Sequence, residues 1–90
     1  MPTVKIPTQL RTLTGGAQEV EASGATLAEV LEDLERRYPG MSERLVDDSG
    51  ALRRFVNVYV DDEDVRFLDG TATPVPEGAR LSIVPAVAGG

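Results

Sequence analysis

The first segment of the chain alternates. Over Thr3 to Pro7, Val4 and Ile6 are apolar while Thr3 and Lys5 are polar. Alternation over a short run predicts a half-buried strand, because successive side chains point to opposite faces. Gln18 to Ala22 predicts the returning strand, with Val20 inward. Between them Thr14-Gly15-Gly16 supplies a turn, since paired glycines take positive φ at little steric cost. Strand, glycine turn and strand together read as a hairpin.

The period then changes. After the break at Ser23-Gly24, Leu27, Val30, Leu31, Leu34 and Tyr38 form one apolar stripe of helical spacing. Thr26 and Glu29 have the Thr-x-x-Glu spacing of a capping box, which sets the start of the helix. Glu29, Glu32, Asp33 and Glu35 are assigned to the other faces, and Arg36 and Arg37 fall in the last turn. This acidic-first, basic-last order suits the helix dipole. Pro39-Gly40 ends the helix.

Met41 to Val46 reads as one short helical turn anchored by Leu45 and Val46, followed by a loop at Asp47-Asp48-Ser49-Gly50. Phe55 to Val60 is the strongest strand signal, rich in β-branched and aromatic residues. It sets Val56, Val58 and Val60 on one face and Phe55, Asn57 and Tyr59 on the other. Asp61 to Asp64 turns the chain into a short strand around Val65 to Phe67. Leu81 to Val84 is the last strand, with Leu81 and Ile83 inward. The order β-β-α-β-β-β with one dominant helix predicts a two-layer α+β domain. The helix covers one sheet face and leaves the other to water or to a partner.

Composition narrows the chemistry. The 90 residues contain no cysteine, histidine or tryptophan. No thiolate nucleophile and no Ser–His or Cys–His pair can be assembled. A Cys/His zinc site and a disulfide are excluded as well. The formal charge is −6, from 9 basic and 15 acidic residues, which argues against nucleic acid as a partner. The apolar runs are too short to span a bilayer. The start of the chain lacks the basic-then-apolar plan of a signal peptide. The expectation is a cytoplasmic domain that meets neither membrane nor nucleic acid. Asp61-Asp62-Glu63-Asp64 lacks the ligand spacing, central glycine and distal glutamate of a calcium loop. It reads as a solvated turn that also offers acidic contacts to a basic partner. The glycines form no phosphate loop.

Attention therefore moves to the last two residues, Gly89 and Gly90. An α-carboxylate has a reference pKa of about 3.3–3.7 and is ionised at neutral pH. It can attack the α-phosphorus of ATP to form an acyl adenylate. Two terminal glycines have no Cβ, so they can enter a narrow channel in torsions closed to other residues. Five residues beyond Pro85 span about 16–18 Å when extended. A frayed end or an appended scar would give the same dipeptide. Here it directly follows an apolar strand and a tail of small residues, Pro85-Ala86-Val87-Ala88-Gly89-Gly90.

This tail, with Ile6-Pro7-Thr8, Thr14-Gly15-Gly16, Ala22-Ser23-Gly24, Thr26-Leu27, Ser42-Glu43-Arg44-Leu45, Arg54-Phe55-Val56-Asn57 and Asp62-Glu63-Asp64-Val65-Arg66-Phe67, resembles the ubiquitin-like sulfur carriers. That group includes the thiazole-forming carrier, the small subunit of molybdopterin synthase and the CysO-type carrier of cysteine biosynthesis. The CysO type is the most similar and covers nearly the whole chain. The segment from Pro39 to Arg53 is longer than expected of a thiazole-type carrier.

The resemblance implies a β-grasp fold, with a mixed four- to five-stranded sheet packed on one main helix. Residues 1–85 form the domain and residues 86–90 a flexible tail. It implies a protein that is not itself an enzyme and binds no cofactor. An activating enzyme would adenylate Gly90 with ATP and magnesium, and sulfur would replace AMP to give a thiocarboxylate. A pyridoxal-phosphate-dependent synthase would accept the sulfur, and a JAMM-type metallopeptidase would restore the carrier. Ala86, Val87, Ala88, Gly89 and Gly90 would enter partner active sites. Tyr59, Val84 and Pro85 are the candidate docking residues, since an exposed apolar patch often marks an interface. Two other readings stay open: a molybdopterin-synthase subunit or donor to another sulfur-containing metabolite, and a ubiquitin-like modifier attached through Gly90.

Overall fold

A computed structural model of the chain describes residues 1–85. Strand β1 (Thr3–Lys5) pairs antiparallel with β2 (Glu19–Glu21), placing Val4 opposite Val20. The predicted strand over Thr3 to Pro7 is shorter than expected. Ile6 keeps one ladder bond, donating its N–H to Gln18 O at 2.8 Å, and its side chain is fully buried. Pro7 has no N–H to extend the ladder, and the chain winds into one 3-10 turn at Thr8–Leu10 that drops Leu10 into the core. Gly15 and Gly16 follow with φ of 67° and 93°, as a glycine turn requires.

Helix α1 (Leu27–Arg37) starts where the capping spacing places it. Thr26 Oγ1 accepts the Glu29 N–H at 3.3 Å. The Glu29 carboxylate reaches back to Ala25 N at 3.0 Å. Leu27, Val30, Leu31 and Leu34 are buried against the sheet, with Tyr38 half-buried beside them. Gly24 has no room for a side chain: a Cβ there would lie 2.6 Å from Val30 N and 2.8 Å from the Glu29 carbonyl carbon. The first turn of α1 therefore packs directly on the chain leaving β2.

Asp33 is not on a solvated face. Its side chain is buried and accepts from Arg36 Nη2 at 2.6 Å, Arg37 Nε at 2.8 Å and Ser23 N at 2.8 Å. The i+3 and i+4 arginines fold over it, and its bond to Ser23 ties α1 to the β2 exit. Helix α2 (Met41–Leu45) follows at once, anchored by buried Met41 and Leu45, with half-buried Val46 packed against the same core. Glu35 accepts from Gly40 N and Ser42 N at 3.1 and 2.8 Å, joining the two helices.

Strand β3 (Val56–Val60) alternates as expected, with Val56, Val58 and Val60 buried. Strand β4 is only Glu63–Asp64. The expected strand at Val65–Phe67 is instead a 3-10 turn, initiated by Asp64 Oδ1 accepting Arg66 N at 2.9 Å. A strand would have put Val65 and Phe67 on one face; the turn buries Val65 and leaves Phe67 88% exposed.

Strand β5 (Arg80–Pro85) completes a five-stranded sheet of order β2-β1-β5-β3-β4. It runs parallel to β1 and antiparallel to β3. This mixed sheet carrying one main helix is the β-grasp architecture. The Cα radius of gyration, 11.8 Å, agrees with the compactness expected of so short a chain.

Two outcomes test this packing. Gly24→Ala should lower unfolding free energy by about 1–3 kcal/mol in urea titration, because a backbone contact must give way. Hydrogen bonds from Arg36, then Ser23, then Arg37 hold the Asp33 carboxyl well below the usual carboxylate range. A carboxyl depressed by folding adds stability above its unfolded pKa and loses it as pH falls through the folded value. Asp33→Asn should therefore melt below wild type at neutral pH. The gap should begin to close as pH drops below about 4, followed by thermal melts.

Candidate functional site

Strand β5 lies in the middle of the sheet, and Pro85, its last described residue, is the root of the expected tail. The register fixes what surrounds that point: Val56 faces Pro85, Asn57 faces Val84, Tyr59 faces Ser82, and Lys5 faces Ser82 from the other side. Residues 86–90, including Ala86, Val87, Ala88, Gly89 and Gly90, lie outside the described residues.

Strand alternation gives the tail root two faces. On the open face, Val84 is 43% exposed and Tyr59 is half-buried. They are diagonal neighbours across β5 and β3, a spacing at which large side chains still touch. The other residues projecting there are mainly polar, including Thr3, Glu19, Glu21, Asn57 and Arg80. Arg80 pairs with Glu19 at 3.1 Å across β1. Tyr59 and Val84 thus form a small apolar island in a polar face. Pro85 does not join them. It pairs with buried Val56, so it points to the helix side with Ile83.

That second face opens into a cleft of about 560 Å³ whose apolar lining is Leu10, Leu45, Phe55, Val56, Ile83 and Pro85. Phe55 is thereby relocated. It does not share a face with Tyr59, because residues 54 and 55 form a turn closed by Val56 N donating to Arg53 O at 3.0 Å, and strand alternation starts only at Val56. Phe55 stands half-exposed at the cleft mouth. Arg44, Arg53 and Glu43 stand around the same opening, with Arg53 Nε donating to Glu43 O at 2.9 Å.

Arg66 holds this end together. Its Nη2 donates to Arg53 O, Arg54 O and Val56 O at 2.6, 3.1 and 2.8 Å, and its Nη1 to Asn57 Oδ1 at 2.9 Å. One guanidinium so gathers the carbonyls that enter β3. The resemblance motif contains Arg66 but does not disclose this role, since the backbone partners lie 10 to 13 positions earlier.

Charge divides along the strands. Lys5 flanks β5, Arg11 Nε donates to Ile6 O at 3.0 Å, and Arg44, Arg53, Arg54 and Arg66 surround the cleft and the β3 entry. Asp61, Asp62 and Glu63 sit at the opposite end, where Asp61 Oδ1 accepts Arg80 N at 3.0 Å. Along β5 that is about 17 Å from the tail root. Asp61 and Asp62 have positive φ, 50° and 74°, and serve the β3–β4 turn. The expected acidic contact surface is therefore remote from the point where the chain leaves the sheet. Among the described residues no group of three or more acidic side chains is placed to hold a metal ion, and no helix is long and apolar enough to cross a membrane.

The sequence matches the ThiS family over residues 4–90. It is 59% identical over 90 residues to the sulfur carrier protein CysO of Mycobacterium tuberculosis, covering 98% of this chain and 97% of that one. It superposes on a crystal structure of an Amycolatopsis orientalis BexX/CysO complex with a TM-score of 0.94, 54% identity and full coverage of both chains. Small archaeal modifier protein 3 of Haloferax volcanii is 42% identical over 66 residues, spanning 73% of this chain and 71% of that protein.

Removing the clamp should loosen this end selectively. Arg66→Met should cost about 1–3 kcal/mol, because charge-assisted bonds to carbonyls are lost. Amide exchange should quicken most at Val56 and Asn57 and little in α1.

Proposed function

The chain belongs to the ThiS family, and from that membership we propose that it is a sulfur carrier whose reactive atom is the terminal carboxyl carbon of Gly90. The observation that carries the reading is where β5 ends. Among the described residues the central strand runs to Pro85 at one end of the sheet, and Ala86-Val87-Ala88-Gly89-Gly90 follow it in the sequence. A carboxylate on that short arm can enter an enzyme while the domain stays outside. The described side chains offer no nucleophile–base pair of the Ser–His or Cys–His kind, as the composition requires. The carrier is a cosubstrate, and its partners supply the catalysis.

A Gly90 carboxylate oxygen attacks the α-phosphorus of ATP in an activating enzyme, with magnesium on the phosphates, and pyrophosphate leaves. A sulfur nucleophile then attacks the acyl carbon and AMP leaves, so the thiocarboxylate retains one oxygen and gains one sulfur. The carrier holds no cofactor of its own. The thiocarboxylate sulfur adds to an acceptor on a second enzyme; for cysteine, that is an aminoacrylate on a pyridoxal-phosphate-dependent synthase. The adduct rearranges to an amide, and a JAMM-type metallopeptidase hydrolyses it to restore Gly89-Gly90. These steps take place in the cytoplasm. The similarity to sulfur carrier proteins named CysO supports the cysteine branch. Tyr59 and Val84 on the open face are the docking contacts near the tail, and Pro85 supports the tail root from the other face.

A second reading has its own support. The likeness to an archaeal small modifier protein favours attachment of Gly90 to lysine amines on target proteins. The acyl adenylate is shared, and only the attacking nucleophile differs.

Incubation with the organism's own adenylating enzyme, ATP, magnesium and a sulfide source should raise the intact mass by the difference between sulfur and oxygen. Deletion of Gly90 should abolish the gain, and Tyr59→Asp should slow it about ten-fold or more by placing a charge in the apolar contact. An unchanged mass in the presence of an enzyme active on another carrier would sink the sulfur-carrier reading. Isopeptide-linked adducts in its place would select the modifier reading.

A further inference from the structure

We propose that the cleft beneath the tail root is a second docking point, which receives an apolar side chain from an acidic surface of the enzyme that adenylates Gly90. The inference rests on the carrier reading and names a surface of this chain beyond the Tyr59–Val84 island. Three observations carry it. Pro85, the residue from which the tail departs, forms part of the cleft wall, so a partner that grips the tail passes this opening. The lining is apolar, and Phe55 stands at its mouth 50% exposed among the described residues, a costly placement for an aromatic side chain. The rim is cationic. Arg44 and Arg53 border the opening and Arg54 follows in the chain. Among the described residues these three make no contact ion pair with a carboxylate, although Glu43 lies on the same rim and the Asp47 carboxylate is near enough to feel the Arg53 charge.

Charge complementarity then sets the partner. The whole chain carries −6, which would steer it toward a basic surface. The end that must approach the active site has the opposite local sign, because the acidic turn at Asp61, Asp62 and Glu63 lies at the far end of β5. A partner with carboxylates around an apolar knob draws in the tail end and turns the acidic end away. Long-range charge orients the encounter, and burial of the knob against Phe55 and Leu45 slows release. The two faces of β5 then give the enzyme two independent contacts on either side of the tail.

The test is ATP–pyrophosphate exchange by the organism's adenylating enzyme, with the carrier concentration varied. Phe55→Asp should raise KM for the carrier about ten-fold or more and leave kcat within two-fold or so, as loss of a buried aromatic anchor would. Arg44→Glu, at an exposed position, should raise KM about three- to ten-fold at low salt and less at high salt. Both variants should keep the wild-type melting temperature within a few degrees, which separates docking from misfolding. Wild-type KM for both variants, with wild-type exchange intact, would overturn the cleft and leave the carrier reading standing. No exchange with the wild-type chain would overturn both. Wild-type dimers in sedimentation that dissociate in Phe55→Asp would assign the cleft to a second copy of this chain and overturn the enzyme contact.

Discussion

The structure depends on the insertion of β5 between β1 and β3. β5 pairs parallel with β1, and a parallel pair cannot be closed by a tight turn. The chain must leave the first hairpin, cross one sheet face as α1, lay down β3 and β4, and only then return to fill the gap. Until it does, the β1–β2 hairpin and the β3–β4 pair are two small ribbons with exposed edges, each too small to be stable alone. Leu81 and Ile83 then lock against the α1 stripe from the centre of the sheet. The last of the described elements is thus the one that joins the two halves.

The same insertion explains the site. Because β5 is central, Pro85 lies in the middle of one sheet end, with β1 on one side and β3 on the other. Alternation along β5 gives that end two unlike surroundings. Val84 looks onto a polar face where Tyr59 is its apolar neighbour, while Ile83 and Pro85 look into an apolar cleft bordered by arginines. Arg66 stiffens the β3 entry that forms one wall of this cleft, by gathering carbonyls from Arg53 to Val56.

Much of this was legible in the residues. The Thr26–Glu29 capping pair fixes the start of α1 and the Leu27-Val30-Leu31-Leu34 stripe its buried face, because both depend on helical spacing alone; the helix ends at Arg37, just before the expected stop. The valines of β3 announce their buried face because the strand is long enough for alternation to repeat. Val65–Phe67 failed for the opposite reason: three residues do not distinguish a strand from a 3-10 turn, and the Asp64 carboxylate decided for the turn. Phe55 was misplaced because alternation was extended through a turn that only the Arg53–Val56 bond reveals. Asp33 read as a surface acid because its helical position is ambiguous, whereas its burial depends on Ser23, ten residues earlier.

By itself the sequence determined the main helix, the strands β1, β2, β3 and β5, their order and the side-chain chemistry left available to a chain without cysteine or histidine. These follow from local periodicity and composition, which need no partner across the fold. Which strands became neighbours was decided by tertiary structure alone, because register and burial are set between residues far apart in the chain. So were the separation of Pro85 from Val84, the gathering of cations at the tail root and the removal of the acidic turn to the opposite end. The sequence ends in Gly89-Gly90, the pair from which the carrier proposal starts; the threading of β5 gives Pro85, its last described residue, two unlike faces and a local charge opposite to that of the whole.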